Sequence, residues 1–320
     1  MRRFFITLAI LAALSTGPLA FAQQPSGSPG AAPAAPAARA GRGGRGPAQI
    51  PVGPPAPVPP EVAIPRPSPD ELRQINAELA RLVDADTSDA KPLLQKYQWL
   101  LTITQPRPNI AATFTQTTVR APRHAAFVER AKAGGIDLLF EGDSITDWWT
   151  RNGPNAYQKY FGDMKVANFA VAGDTTQGVL WGLKNGEGQG FQPKAIMLMI
   201  GTNNLGGYTP NTPEEIAEGI GAIVLENRKD FPDAKILLLA VFPRGLPDDP
   251  SRPKIAQINK IISRLDDHQH VFYMDIGSKF LDDKGAFLPN AFLGDNLHPR
   301  EIGYDIWGSA VKDTLVDLMK

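Results

Sequence analysis

The chain contains no cysteine among its 320 residues. Disulfide bonds, thiolate zinc sites and cysteine nucleophiles are therefore excluded. An excess of charge is also absent, because 33 basic and 33 acidic residues balance each other. A neutral chain lacks the basic footprint of nucleic-acid binding, so we expect no nucleic-acid partner. A glycine-rich dinucleotide fingerprint is missing as well, and histidine is scarce, with four residues in all.

Long apolar runs are lacking except at the N-terminus, which has the pattern of a secretory signal peptide. Two arginines at 2–3 precede an apolar stretch at 4–14 and a cleavage-site pattern at 20–22. An uncleaved anchor is the alternative, but Gly-Pro at 17–18 interrupts a run already shorter than the ~20 residues that a spanning helix needs. We predict a signal peptide over residues 1–22, a secreted or periplasmic location, and no stable membrane insertion after cleavage.

Residues 23–66 are rich in proline, alanine and glycine and hold almost no large apolar residues. Such a segment cannot bury enough surface to offset the entropy of its chain, so we predict a disordered linker.

The segment 67–122 is predicted to be an arm of helices and extended chain. Ser68 and Glu71 have the spacing of a helix capping box, and apolar residues then recur every three or four positions. A second helix is predicted over 89–101, and residues 105–122 have an extended pattern. The arm must pack either on its own catalytic domain or on a second subunit, so a homodimer is one of two expectations.

From residue 123 onward, short apolar runs alternate with helix-like segments. The strand-like runs are Ile136–Phe140, Val166–Val171, Ala195–Ile200, Ile236–Phe242 and Val271–Asp275. The helix-like segments include Ala125–Ala133, Thr175–Leu183, Pro213–Lys229, Lys254–Asp266 and Ile302–Met319. Buried strands alternating with helices are typical of a parallel sheet covered on each side. We therefore predict an α/β fold for residues 123–320, a three-layer αβα sandwich with a five-stranded, flavodoxin-like sheet.

The most informative motif, Gly142-Asp143-Ser144, follows the first predicted strand and precedes helix-compatible residues. The carboxyl ends of parallel strands are where α/β proteins bind ligands. A serine hydroxyl there becomes a nucleophile only if a nearby base takes its proton. Taken alone, the motif more often marks a serine that caps a helix.

The base can be sought among the four histidines. His298 lies three residues after Asp295, so the carboxylate can hold the imidazole in one tautomer. Asp275, at the end of the last predicted strand, is a rival for this acid. His268 and His270 have a spacing seen in metal sites, but no carboxylate pattern accompanies them.

An oxyanion that forms during acyl transfer needs converging hydrogen-bond donors. Gly173 follows the second predicted strand, and a glycine there allows its N–H to approach a substrate closely. Asn203 follows the third predicted strand and carries a side-chain amide donor. Each residue alone is also typical of an ordinary turn.

Together these motifs resemble the SGNH (GDSL) hydrolase superfamily. The matching blocks are Gly142-Asp143-Ser144, Gly173-Asp174, Gly201-Thr202-Asn203-Asn204 and Asp295-x-x-His298-Pro299. Stretches at 168–176 and 241–245 are most similar to the catalytic subunits of platelet-activating-factor acetylhydrolase and related bacterial acyl esterases. Ala172 departs from the second glycine of many relatives, and residues 23–122 match nothing in the family.

The resemblance implies a serine esterase that works through an acyl-enzyme. Ser144 would be the nucleophile, His298 the base and Asp295 the acid that orients it. The oxyanion hole would consist of the Ser144 and Gly173 backbone N–H groups and the Asn203 side chain. The resemblance implies no metal ion and no organic cofactor.

The substrate is less closely defined. The resemblance favours acetyl or other short acyl esters, and export favours O-acetyl groups on carbohydrate. A lysophospholipase or arylesterase is the enzymatic alternative, and a non-catalytic carbohydrate-binding or assembly module is the alternative from another class. Candidate substrate-binding residues are Asp143, Trp148, Asp174, Asn204 and Arg244. Trp148 and its neighbour Trp149 can stack on a sugar ring or pack in the core.

Overall fold

The computed structural model describes residues 51–104, 107–206 and 210–320. One parallel sheet contains β1 (Leu138–Gly142), β2 (Val166–Asn168), β3 (Ala195–Met199), β4 (Lys235–Leu239) and β5 (Val271–Met274). The strands lie in the order β2-β1-β3-β4-β5. The expected α/β fold with a five-stranded parallel sheet is confirmed.

Both faces of the sheet are apolar and buried, which is why its strands appear as continuous apolar runs. Successive residues alternate between the faces. One face carries Leu139, Ile196, Leu198, Ile236 and Leu238. The other carries Leu138, Phe140, Met197, Met199, Leu237 and Leu239. Burying each such side chain contributes about 1.5–3 kcal/mol.

Helices cover both faces, so the sheet is the middle of three layers. The α-helices are α1 (Pro69–Ala85), α2 (Lys91–Lys96), α3 (Gln98–Leu101), α4 (Ala121–Lys132), α5 (Ser144–Asp147), α6 (Trp149–Asn152), α7 (Pro154–Phe161), α8 (Thr176–Gly182), α9 (Pro213–Asp230), α10 (Ser251–Ile262) and α11 (Glu301–Leu318). Short 3-10 turns cover Ile110–Ala112, Thr202–Leu205, Ser263–Leu265 and Gly277–Phe280, and a π-helical turn covers Leu183–Glu187. Helices α4, α8, α9 and α10 pack on the first face, and α5, α6, α7 and α11 pack on the second. None of the helices in the described ranges combines the length and apolar character needed to cross a membrane.

Two strands end earlier than their apolar runs predict. Strand β4 stops at Leu239 because the Asn259 side chain bonds both the N–H and the carbonyl of Val241, at 2.8 and 2.9 Å. Strand β2 ends at Asn168, although the Phe169 and Val171 N–H groups still donate to the Phe140 and Gly142 carbonyls of β1, at 2.8 and 3.2 Å. At the end of β4 an asparagine side chain thus takes backbone groups that a longer strand would pair.

The expectation of a disordered linker is wrong for residues 51–66, which pack against the rest of the chain. The Ala56 N–H donates to the Ala112 carbonyl at 2.8 Å, and Val62 is buried. Small apolar residues between the prolines make these contacts. The prediction of disorder missed them because it rested on the average composition of residues 23–66. The rest of the predicted linker, 23–50, and the predicted signal peptide lie outside the described residues.

The arm has the predicted first helix and a modified second one. Ser68 and Glu71 form the capping box at the start of α1. The predicted helix over 89–101 is divided into α2 and α3, because Tyr97 leaves the helical region with φ −111° and ψ 24°. The described part of 105–122 is less extended than expected, since it contains a 3-10 turn and the start of α4.

Candidate active site

The Gly-Asp-Ser turn holds Ser144 at the carboxyl end of β1. Asp143 caps α5 by accepting a hydrogen bond from the Ile145 N–H at 3.0 Å. Gly142 is required by close packing, because a Cβ there would lie 2.5 Å from the Met199 carbonyl oxygen. The turn therefore presents Ser144 at the edge of the sheet where α/β proteins bind ligands.

His298 joins Ser144 to Asp295. Its Nε2 lies 2.8 Å from Ser144 Oγ, and its Nδ1 lies 2.7 Å from Asp295 Oδ2. When Nδ1 carries the proton, the imidazole donates to the carboxylate and Nε2 is able to accept the serine proton. The structure thus brings together the three residues that separate motifs singled out.

The turn that carries His298 is held by the same carboxylate. Asp295 Oδ1 accepts hydrogen bonds from the N–H groups of Leu297, at 3.0 Å, and His298, at 3.1 Å. Asn296 adopts a left-handed φ of 51°, which asparagine tolerates better than most residues. Burial raises the pKa of Asp295, but the hydrogen bonds from His298 and Leu297 outweigh it and hold the pKa below its usual value. Asp295 is therefore ionised at neutral pH.

The rival acid lies elsewhere. Asp275 is exposed, and its carboxylate accepts a hydrogen bond from the Gly277 N–H at 2.8 Å. Asp295, rather than Asp275, is the carboxylate bonded to His298.

Strand order brings two more donors to the same edge, because β2 and β3 lie on either side of β1. Gly173 follows β2 and has a φ of 83°, a conformation that glycine adopts without strain. Asn203 follows β3, and one N–H of its side-chain amide donates to the Asp174 carbonyl at 2.8 Å. That bond orients the amide, whose second N–H is able to serve a ligand.

Trp148 packs on the catalytic histidine candidate. Its ring stacks on His298 with a centroid distance of 4.2 Å, and the Arg151 guanidinium lies 4.6 Å from the Trp148 ring. These contacts use part of the ring surface that a sugar would need, and the stacking role expected for Trp148 stays a prediction. Trp149 is fully buried in the core.

Three other residues expected to bind substrate direct their side chains to contacts within the protein. Asp174 is fully buried, and buried Asn204 accepts a hydrogen bond from the Thr176 N–H at 3.1 Å. Arg244 donates to the Thr202 carbonyl at 3.2 Å. These contacts hold the loops after β2, β3 and β4, which carry Gly173 and Asn203.

Asp143, the fourth such residue, is also fully buried. Burial raises its pKa to about 7, and neighbouring Asp174 adds to this rise, while the Ile145 N–H and Arg244 oppose it. One of its carboxylate oxygens is without a hydrogen-bond partner among the described residues. Asp143 therefore belongs to the inner side of the turn rather than to the surface that a substrate reaches.

Sequence reasoning missed Arg120, which is almost completely buried. Its Nε donates to Asp174 Oδ2 at 2.7 Å, and its Nη1 pairs with Glu187. Glu187 also bonds His124 Nδ1 at 2.8 Å. No motif marks Arg120, because it lies in a segment predicted to be extended and far in sequence from both carboxylates. The network anchors Asp174, the residue directly after Gly173.

In the described ranges, no group of three or more histidine, aspartate or glutamate residues is arranged to hold a metal ion. His268 and His270 lie instead beside Asp266 and Asp267, at 2.9 and 3.7 Å.

A cavity of about 540 Å³ lies between α10, the loop after β4 and the end of β5. Its walls include Arg252, Asn259, Tyr273 and Asp275. Ser144, His298 and Asn203 do not line it, so this cavity is separate from the Ser–His–Asp group.

Comparison with known proteins agrees with this geometry. Residues 140–306 match the model of the GDSL-like Lipase/Acylhydrolase family, and this match covers more than half of the chain. The chain belongs to this family. It is therefore a carboxylic ester hydrolase.

Relatives of this GDSL-like hydrolase include the platelet-activating factor acetylhydrolase IB subunit alpha2 of Rattus norvegicus. That protein is 38% identical over 183 residues, which are 57% of this chain and 77% of the relative. The alpha1 subunit of Homo sapiens is 30% identical over 197 residues, 61% of this chain and 82% of the relative. A solved structure from Streptococcus pneumonia, named after platelet activating factor, aligns with 71% of this chain and 100% of its own, at a TM-score of 0.51 and 22% identity. At that identity the likeness concerns the fold.

Proposed function

We propose that Ser144 is the nucleophile of this esterase and that His298 and Asp295 activate it. The observation that carries the proposal is the pair of contacts at His298, 2.8 Å to Ser144 and 2.7 Å to Asp295. A hydroxyl, an imidazole base and an orienting carboxylate are what serine acyl transfer requires.

The reaction has two steps. His298 Nε2 takes the Ser144 proton while Oγ bonds to the ester carbonyl carbon. The N–H groups of Ser144, Gly173 and the Asn203 amide stabilise the resulting oxyanion. His298 then protonates the leaving alcohol as its C–O bond breaks, which leaves an acylated serine. Water, deprotonated by the same imidazole, then attacks the acyl carbon. The acyl–Oγ bond breaks, His298 returns the proton to Ser144 Oγ, and the carboxylic acid leaves.

The test of this assignment is Ser144→Ala. We expect the variant to keep the wild-type melting temperature, to lose hydrolysis of p-nitrophenyl acetate, and to resist labelling by a fluorophosphonate probe. Wild-type turnover in the folded variant would refute the role of Ser144. A wild-type protein that the probe leaves unlabelled would also contradict it.

For the substrate, we propose acetyl or other short acyl esters, and specifically O-acetyl groups on carbohydrate outside the cytoplasm. The acetylhydrolase relatives support the acetyl group. The signal-peptide pattern of residues 1–22 supports a secreted or periplasmic enzyme. Export is checked by N-terminal sequencing of protein recovered outside the cytoplasm, which should begin at Gln23.

A second candidate substrate is platelet-activating factor itself or a similar acetylated phospholipid. The names of relatives at 38% and 30% identity favour it.

Two substrate measurements separate these candidates, each with Ser144→Ala as the blank. A series of p-nitrophenyl esters of increasing acyl length should show the highest kcat/KM with acetate. Acetate release should then be faster from acetylated xylan than from platelet-activating factor. Hydrolysis of the phospholipid alone would reject the carbohydrate proposal, and a preference for long acyl chains would reject both.

A further inference from the structure

Exposed apolar side chains are concentrated in the helical arm. Of the eleven large apolar residues classed as exposed in the described ranges, eight lie between residues 75 and 103. They are Ile75, Leu82, Leu93, Tyr97, Trp99, Leu100, Leu101 and Ile103, and they are 37–70% exposed. A concentration of this kind on a folded protein marks an interaction surface rather than the normal scatter of single apolar residues.

The positions of these side chains follow helical spacing. Ile75 and Leu82 are seven residues apart, so they lie on one side of α1. Leu93, Tyr97 and Leu100 recur at spacings of four and three, and backbone hydrogen bonds connect Leu93 to Tyr97 and Tyr97 to Leu100. Helix α1 and the α2–α3 segment therefore each have an exposed apolar side.

Residues 68–104 form a hairpin that is held together by its own contacts. The Asn76 side chain bonds both the N–H and the carbonyl of Ile103, each at 2.8 Å. Within the part of the chain that the structure describes, the side-chain hydrogen bonds and ion pairs of the hairpin all stay inside it. The eight apolar side chains remain 37–70% exposed, so the catalytic domain leaves the apolar sides largely uncovered.

The base of the hairpin is attached firmly to the catalytic domain. Arg66, just before it, pairs with Glu218 at 2.7 Å, and Arg107, just after it, pairs with Glu215 at 3.0 Å. Both glutamates belong to α9. The hairpin is thus a projecting element with a fixed base, which is the form that a docking element needs.

The exposed apolar area and the charge of the hairpin favour a second copy of this chain as the partner of this surface. The eight side chains expose on the order of 800 Å², about what one partner contributes to a standard interface. Residues 68–104 carry six acidic and four basic residues. A net negative hairpin is repelled by anionic lipid, and interfacial helices are rich in lysine and arginine instead. Charges of both signs around an apolar patch suit a copy of the same surface, because a two-fold interface is self-complementary.

We propose that the hairpin of α1, α2 and α3 is a homodimerisation element, in which its apolar sides pack on the same sides of a second copy of this chain.

The test compares two matched variants of the whole protein by sedimentation velocity over a range of concentrations. Leu100 in the hairpin is 61% exposed and Leu246, in the loop after β4, is 60% exposed. Leu100→Glu and Leu246→Glu place the same charge at equally exposed positions, so neither removes a core side chain. We expect the wild type and Leu246→Glu to sediment as dimers, and Leu100→Glu to dimerise at least about a hundredfold more weakly, because an unpaired charge is costly at a buried interface. Trp99→Ala should weaken the dimer to a smaller degree.

Esterase activity and circular dichroism of each variant establish that it is folded. The proposal is overturned if the wild type is monomeric at every concentration, or if Leu100→Glu stays as dimeric as Leu246→Glu. Binding of a monomeric wild type to phosphatidylcholine–phosphatidylglycerol vesicles, lost in Leu100→Glu, would assign the surface to lipid and would also overturn it.

Discussion

Two adjacent asparagines show how the position of one residue along a loop determines its chemistry. Asn203 is half-buried at the edge of the sheet and uses one amide N–H to bond the Asp174 carbonyl. Asn204 points the other way and is buried among Thr176, Gln177 and Asn211. The family resemblance assigns the oxyanion role to Asn203, and the 3-10 turn over Thr202–Leu205 turns the neighbouring Asn204 side chain the other way.

Asn203→Ala should reduce kcat by roughly a hundredfold or more, because the proposed oxyanion donor is lost. Its KM for p-nitrophenyl acetate should change little. Asn204→Ala is the matched control, and we expect it to lower the melting temperature, since it leaves buried partners unsatisfied. If Asn204→Ala lost as much kcat as Asn203→Ala and kept the wild-type melting temperature, the proposal that Asn203 is the oxyanion donor would be contradicted.

Trp148 is expected to act through His298. Stacking on an aromatic face stabilises the positively charged imidazole that forms during the reaction. Trp148→Ala should lower kcat by roughly tenfold, while Trp148→Phe should retain most of the activity. If Trp148 bound the substrate instead, its replacement would raise KM and leave kcat unchanged. Steady-state kinetics with p-nitrophenyl acetate separates the two cases.

At the scale of elements, the sequence predicts the architecture well and the boundaries less well. The five strands are predictable because burial on both faces leaves uninterrupted apolar runs. Helices α1 and α9 are predictable from capping boxes. The end of β4 is not, because Asn259 intercepts backbone groups there. The contact between Asn259 and Val241 is created only when the chain folds.

The helix after β2 is closely fitted to the loop that carries Gly173. A Cβ on Gly178 of α8 would overlap the Asp174 carboxylate and lie 2.8 Å from Thr117 Oγ1. Gly178→Ala should therefore displace Asp174 and the adjacent Gly173, with a loss in kcat of roughly a hundredfold for a shift of about 1 Å.

Gly294→Ala serves as the control for this prediction. A Cβ on Gly294 would have no atom within 4 Å, although the residue lies next to Asp295. Its kinetic constants with p-nitrophenyl acetate should match those of the wild type. Unchanged kinetics for Gly178→Ala would show that Asp174 does not transmit its position to the oxyanion hole.

At the scale of the whole molecule, two buried carboxyl groups make stability depend on pH. Burial raises the pKa of Glu141 from 4.5 to about 7, against the opposing hydrogen bond from Asn227. Burial raises the pKa of Asp143 to about 7 as well. A carboxyl whose pKa is higher in the folded state stabilises that state below its unfolded pKa, and the contribution is lost as pH rises through the folded value.

We therefore expect the urea midpoint to fall as pH rises from about 5 to about 8. Glu141→Gln keeps an acceptor for Asn227 and cannot ionise, so its midpoint should fall less over this range. The remaining slope should come mainly from Asp143, with a contribution from Asp230, whose pKa burial also raises. A Glu141→Gln variant with the same slope as the wild type would show that Glu141 does not titrate in this window.

The long-range contacts of the N-terminal part are what the sequence predicts least. Composition suggests a disordered segment up to residue 66, yet residues 51–66 pack on the domain. Arg120 enters a network with Asp174 and Glu187 that no local pattern indicates. Such contacts join residues more than fifty positions apart, and only the folded chain reveals which charges meet.

The two ion pairs at the base of the hairpin, Arg66–Glu218 and Arg107–Glu215, have a consequence for protein engineering. Glu215 and Glu218 are three residues apart on one helix, so their Cβ atoms are about 5–6 Å apart. Arg66 and Arg107, which flank the hairpin, are therefore neighbours in space. In topological terms the hairpin is an insertion with adjacent ends, a portable module that a short linker could replace, or that could be transplanted onto another enzyme that offers two acidic residues one helical turn apart.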